Sequence, residues 1–291
     1  EAMALDIPTR AIGNNPLFPD FATCLAITLA NNAYFHANAS GNTRFFTVIQ
    51  GRSRAEVMAW YDAVRASPFD GGWALGGHMR NDFILLTELL HTIIRDGLLG
   101  SRNRLHVLGT STLVQSVMLS ALQRSIRELP GQDEFQITFD TANPSLKMAF
   151  GQLVGHPLIT PDRGNTPGEF KDRTYKTPTH SDVSPTDCRP LPIKSSRISE
   201  RLTIGDLCAV PGIGKNSPWD NLARAIVIHH NVDATLRAID EANSIMELPT
   251  QFATQIAPVH VVRCYQALRT AFRHSNPVAH VRREAKAFAM L

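Results

Sequence analysis

Apolar and polar positions follow two different rhythms along the first half of the chain. Short apolar runs of strand character, Ala2 to Leu5, Arg44 to Ile49, Gly72 to Leu75, Leu105 to Leu108 and Phe135 to Phe139, are separated by longer stretches with helical spacing. The amphipathic stretches are Arg54 to Ala66, Phe83 to Asp96 and Thr112 to Leu129. In the second of them Ile84, Leu85, Leu89, Ile93 and Ile94 recur at helical spacing. Strand and helix taking turns at roughly 30 residues per unit predict right-handed βαβ crossovers and a parallel sheet. The rhythm stops near Gly155. Residues 156–192 are rich in Pro, Gly, Thr and Asp without a period and read as loop or insertion. Helical patterning returns at Trp219 to Ala242 and again at Ala257 to Phe288. The expected organisation is an α/β unit over 1–155, an irregular segment over 156–192 and a mostly helical C-terminal region over 193–291.

Each strand stops at a residue with something to offer a ligand: Asp6, then Gln50-Gly51, Gly76-Gly77, Leu108-Gly109 and Asp140. In a parallel β/α barrel the carboxyl ends of the strands build the active site. Singly, each residue has a plain structural explanation, as a helix cap or a tight turn. Together they direct two acids, an amide and several glycines at one pocket. An Asp and a Gln set edge-on to a purine accept from its N1–H and exocyclic amine and donate to its carbonyl. Adjacent glycines let backbone N–H groups approach a flat base. A second carboxylate is then free to attack an anomeric carbon.

Composition narrows the class without naming it. An apolar share of 43% with 19% charged residues is that of an ordinary soluble globular protein, and no apolar run approaches the roughly 20 residues that span a bilayer. Cys24, Cys188, Cys208 and Cys264 are far apart and form no CxxC pair, so the expectation is a reduced, cytoplasmic protein. A formal net charge of +3 says little by itself, but Arg263, Arg269, Arg273, Arg282, Arg283 and Lys286 face only Glu284 over the last stretch. Such a segment fits either a phosphate backbone or a solvated helix face. Arg189, Lys194, Arg197 and Arg201 leave the same choice. The first residue is Glu1 and the chain opens directly in an apolar run, so a fragment without its natural start is expected.

Phe46 to Gly51 (FTVIQG), Phe69 to Gly77 (FDGGWALGG), Leu105 to Gly109 (LHVLG) and Phe139 to Ser145 (FDTANPS) follow in an order and spacing that resemble the guanine transglycosylases, the tRNA-guanine enzymes and their DNA-modifying 7-deazaguanine relatives. Ala2 to Thr9 (AMALDIPT) is similar to the family strand that ends in a base-reading aspartate. The resemblance covers about residues 1–150. It implies a (β/α)8 TIM barrel of which the last five strands are present, and an exchange of guanine in a nucleic acid for a free 7-deazaguanine base. On that resemblance Asp140 matches the nucleophile. Asp6, Gln50, Gly76 and Gly77 match the residues that read the base edge, and Leu108 matches an apolar side chain over one purine face. His78 stands where the family usually has an apolar residue. No cofactor is required for such chemistry.

Several departures bear on the substrate. The family's Asp-Ser-Gly-Gly-Phe type motif, which holds a general acid/base aspartate, does not occur in this chain. The strands before Asp6 are therefore expected in a longer protein or, less favoured, in another chain. The tRNA enzymes carry a CxCxxC zinc cluster followed by a histidine; here only Cys208 and His230 stand at comparable positions, and a structural zinc is left open against a buried core histidine. Ala142-Asn143-Pro144-Ser145 lacks the arginine of the segment that follows the nucleophile in the tRNA enzymes. These departures favour DNA over tRNA as the partner, with a non-catalytic nucleic-acid-binding subunit as the rival reading. Association as a homodimer is left open and no membrane partner is expected. Val210 to Lys215 (VPGIGK) lacks the first glycine of a P-loop and reads as a surface turn, although it is similar to the hairpin of helix-hairpin-helix modules.

Overall fold

The computed structural model describes residues 1–110, 112–176, 184–191, 193, 196–207 and 220–291, without the side chains of His78 and Arg80. The chain forms two compact units: Glu1–Thr110, Met118–Asp140 and Arg263–Leu291 make the first, and Ser111–Val117 with Thr141–Val262 the second. The boundaries read from composition differ from these, because the final helices return to the first unit instead of extending a separate helical region.

In the first unit a curled sheet of five parallel strands runs in chain order: β1 (Ala2–Met3), β2 (Phe45–Ile49), β3 (Gly72–Leu75), β4 (Arg104–Val107) and β5 (Gln136–Phe139). Strands β1 and β5 are its edges, so among the described residues it is an open sheet and not a closed barrel. The crossovers carry α1 (Phe21–Asn38), α2 (Arg54–Val64), α3 (Phe83–Arg95) and α4 (Leu113–Arg127). Side chains cap the first three: Asp20 accepts from the Thr23 N–H, Ser53 from Glu56 and Asp82 from Leu85. Glu56 also reaches back to the Arg52 N–H at 2.8 Å, tying down a second free donor at that helix start.

Alternation along the strands decides what each face meets. Phe45 and Trp73 point to the helices, where their rings meet Phe35 of α1 at 5.4 Å and Tyr61 of α2 at 5.7 Å. The helices bring a dense apolar layer to that face, including Trp60, Leu86, Leu89, Leu90 and Ile93, each fully buried. Each such side chain contributes about 1.5–3 kcal/mol relative to exposure. The opposite face carries Met3, Phe46, Val48 and Ala74 as a smaller apolar cluster. From Arg263, within α8 (Val259–Thr270), the chain packs back on this unit. Glu128 accepts from Arg269 at 2.5 Å and from Arg273 at 2.6 Å, and these two guanidiniums, Arg273 first, hold its carboxyl down to about 2.

The second unit holds α5 (Asn143–Ala149), two small antiparallel ladders, α6 (Asn221–Met246) and α7 (Thr250–Ala253). β6 (Gln152–Val154) pairs with β9 (Thr174–Lys176), and β7 (Leu158–Ile159) pairs inside them with β8 (Phe170–Lys171). The segment expected to be irregular is thus, up to Lys176, a long hairpin. Its tip is the Gly164-Asn165 turn, flanked by reciprocal backbone bonds between Arg163 and Thr166 at 2.9 Å. Gly164 has φ of +56°, and among the described residues every positive φ belongs to a glycine, so Asn165 keeps a negative φ, the pattern of a II′ turn.

Asn231 ties α6 to this hairpin. Its Oδ1 accepts from the Val154 N–H at 2.8 Å, and its Nδ2 donates to Pro144 O at 3.0 Å and Gln152 O at 3.1 Å. The residue is fully buried, so removing the amide takes one hydrogen bond from each of three backbone groups with no water to replace it. Asn231→Ala is expected to lower stability by about 2 kcal/mol in urea unfolding. An unchanged midpoint would remove this anchoring role.

Candidate active site

The strand register aligns one layer of residues across the sheet. Val48 lies opposite Ala74, Ala74 opposite His106, and His106 opposite Thr138. Two positions further on stand Gln50, Gly76, Leu108 and Asp140, and a period of two puts them on the same face as that row, away from the crossover helices. The ladder continues to this level, since the Gly76 N–H donates to Ile49 O at 3.0 Å and the Leu108 N–H to Leu75 O at 2.9 Å. The sequence-derived residues on β2 to β5 therefore share one face at the carboxyl ends of neighbouring strands.

Asp6 joins them from the segment after β1. Helix α1 holds that segment: Thr28 Oγ1 accepts from the Ile7 N–H at 2.9 Å and Asn31 Nδ2 donates to Leu5 O at 3.2 Å. Gln50 Nε2 then donates to Asp6 Oδ2 at 2.8 Å. Burial pushes the Asp6 carboxyl above the usual carboxylate range, with the Gln50 bond and Arg10 opposing. Gln50 is itself 4% exposed.

Gly76 and Gly77 have separate physical reasons. A Cβ on Gly76 would stand 2.3 Å from Gln50 Nε2, so the absence of a side chain is what lets the amide lie there. Gly77 has φ of +72°, which disfavours any side chain, and it is exposed where its predecessor is buried. Leu108 is half-buried. The side chain of His78, singled out from the sequence, lies outside the described residues.

Asp140 is anchored at one oxygen. Its Oδ1 accepts from the Gly109 N–H at 2.9 Å and from His106 Nε2 at 3.3 Å, while Oδ2 has no partner among the described residues. Its side chain is 60% exposed, so the second oxygen is open to a ligand. His106 Nδ1 lies 2.9 Å from Thr138 Oγ1. With the Thr138 hydroxyl donating to Nδ1, the imidazole carries its proton on Nε2 and donates it to Asp140. Sequence reasoning missed His106 and Thr138. The signal was present: His106 precedes Leu108 by two positions in LHVLG and so faces the same way.

Of the two residues considered for zinc, only His230 is among the described residues. His230 is 2% exposed and both ring nitrogens are engaged, Nδ1 with Ser196 Oγ at 2.6 Å and Nε2 with Val154 O at 2.9 Å. Burial lowers its pKa, which favours the neutral ring. A metal would have to displace one of these partners. Cys208 lies outside the described residues, as do Lys194 and the VPGIGK segment. Among the described residues no three His, Cys, Asp or Glu side chains gather as a metal set. His230 is thus a buried histidine with both ring nitrogens engaged.

The C-terminal basic stretch is altered by its partners. Arg263 pairs with Glu284 at 2.8 Å, and Arg269 and Arg273 pair with Glu128. Ala142 to Ser145 opens α5, with Pro144 in its first turn. No helix among the described residues is long and apolar enough to cross a membrane. No protein-family model and no curated protein matches the chain.

Proposed function

We propose that this chain carries the base-exchange half-site of a guanine transglycosylase, built on the last five strands of a (β/α)8 barrel and acting on DNA in preference to tRNA. The observation that carries the reading is the pairing of a base-edge set, Asp6, Gln50 and Gly76-Gly77, with a carboxylate held by one oxygen and open at the other, on one end of one sheet. The resemblance of the motifs around these residues supports it independently.

In this reading the Asp6 carboxylate accepts from guanine N1–H and the exocyclic amine, while Gln50 and the Gly77 N–H face the carbonyl; the Gly76 N–H stays in the ladder with Ile49 O. Leu108 covers one purine face. Asp140 Oδ2 attacks C1′ of the nucleotide, the C1′–N9 electron pair departs with guanine, and the departing base takes up a proton. Oδ1 becomes the carbonyl oxygen of the ester, still held by the Gly109 N–H and His106. A 7-deazaguanine then attacks C1′ through N9 and loses its N9 proton, and the ester pair returns to Asp140. His106 acts as a positioning residue: it fixes which oxygen is presented and stabilises the carboxylate as it is released.

Equilibrium binding of free bases tests the pocket directly. Guanine is expected to bind at least ~100-fold more tightly than adenine, whose amine and ring nitrogen invert the donor and acceptor pattern. The acceptor role requires ionised Asp6. Because its pKa is raised, guanine affinity should climb with pH through and above the ordinary carboxylate range near ~4, then level off. Asp6→Asn should flatten that climb. Equal affinity for the two bases would sink the proposed function.

A further inference from the structure

Away from the strand ends, the first unit has a second concavity of about 730 Å³, formed by side chains of α2, α3 and the stretch from Ser275 to Arg283 that includes α9 (Pro277–Arg282). Four arginines line it, Arg54, Arg95, Arg282 and Arg283, against one carboxylate, Glu88. Glu88 is committed already: Arg54 Nε donates to it at 2.9 Å and Arg282 reaches it at 3.4 Å. Its side chain is 15% exposed, whereas those of Arg54 and Arg95 are 62% and 67% exposed. Arg95 makes only a long contact of 3.4 Å with its neighbour Asp96, and Arg283 has no ion pair among the described residues. The groove therefore keeps uncompensated positive charge at its wall, supplied from three distant parts of the sequence.

The lining also specifies the ligand. Thr92, Ser275 and Asn276 add neutral polar groups, His91 is the one ring in the lining, with its pKa lowered by burial and by Arg95, and no Phe, Tyr or Trp is present to stack on a base. Guanidinium forks match phosphate oxygens in pairs. The space exceeds what one small anion fills and suits successive phosphates of a strand.

We infer that this groove binds the phosphodiester backbone of duplex DNA without reading its sequence, as a second contact remote from the base pocket. The inference rests on the nucleic-acid substrate of the proposed function, and not on the roles of Asp6 or Asp140. It also reassigns the C-terminal basic stretch: Arg263, Arg269 and Arg273 are spent on internal partners, and only Arg282 and Arg283 join the groove.

The test is fluorescence anisotropy of a labelled 30-base-pair duplex across a salt series, with the Arg95→Gln/Arg283→Gln double variant beside the parent chain. These two arginines do not bond Glu88, so the contact between α3 and α9 is retained. The expected result is about tenfold weaker binding at 0.1 M salt and a log–log salt slope shallower by ~1.8, two phosphate contacts at ~0.9 each. An unchanged affinity and slope overturns the inference. So does saturable binding of inorganic phosphate, measured alone by calorimetry, that is lost in the double variant while duplex binding is not. Guanine affinity of the same variant should equal that of the parent. Should guanine fail to bind the parent while the duplex slope still responds to the double variant, the base pocket falls and the groove stands.

Discussion

In a longer protein that supplies the strands before Asp6 and the acid/base aspartate, Asp140→Asn is expected to abolish base exchange, with a loss of ~10⁴-fold or more in labelled guanine incorporated into a substrate nucleic acid. Without those parts this chain is not expected to turn over. The amide has nearly the shape of the carboxylate and keeps an oxygen for the Gly109 N–H, which lies 2.9 Å from Oδ1 in the native site. What it lacks is an electron pair able to form the glycosyl ester. Guanine affinity should stay within about threefold, because Asp140 does not belong to the edge-reading set. A covalent protein–nucleic-acid band on denaturing gels should appear with Asp140 and vanish with Asn. Retention of full exchange by the variant would remove Asp140 as nucleophile, whatever the fate of the base pocket.

The second large effect is expected at Gly76. An alanine there places Cβ 2.3 Å from Gln50 Nε2, and Gln50 is both buried and bonded to Asp6 at 2.8 Å. The amide has to swing away, which breaks the Asp6 bond and disturbs the groups that meet the purine edge. Guanine affinity should fall by about 100-fold, or about 2.7 kcal/mol. A double-mutant cycle gives the mechanism: once Gln50→Ala has vacated the space, Gly76→Ala should cost little more. Additive losses in the cycle would place the glycine's role elsewhere.

The first unit was legible to within a residue or two at most strand ends, because buried parallel strands and amphipathic helices leave opposite signatures in the same sequence. Helix α1 was not legible. Its buried positions are Cys24, Thr28 and Asn32, spaced by four but two of them polar, so no apolar stripe marks the helix. Within the hairpin from Gln152 to Lys176, the part from residue 156 onward reads as loop for a related reason. Its strands are two or three residues long, too short to show alternation, although Gly164-Asn165 carried a valid turn signal. The candidate site divides in the same way. Asp6, Gln50, Gly76, Gly77, Leu108 and Asp140 stood at strand ends, where position alone suggested a role. His106 is one pleat further in and was visible only through the register. The His230 environment was not legible at all, since its partners Ser196 and Val154 are separated from it by 34 and 76 positions.

After a short excursion before Met118, the chain leaves the first unit for its longest absence at Asp140 and re-enters it at Arg263. Each strand of the sheet pairs with the next one made, so the sheet is able to assemble during translation, one βα step at a time. Glu88 and Glu128 have no such fortune: Arg282 and Arg273 lie 194 and 145 positions downstream. At ~5–20 residues per second, the ribosome delivers them only after roughly ten seconds in which the intervening segment is being made. Throughout that interval the nascent first unit has an uncovered α3 flank and an unneutralised Glu128, the stage at which a chaperone has most to protect.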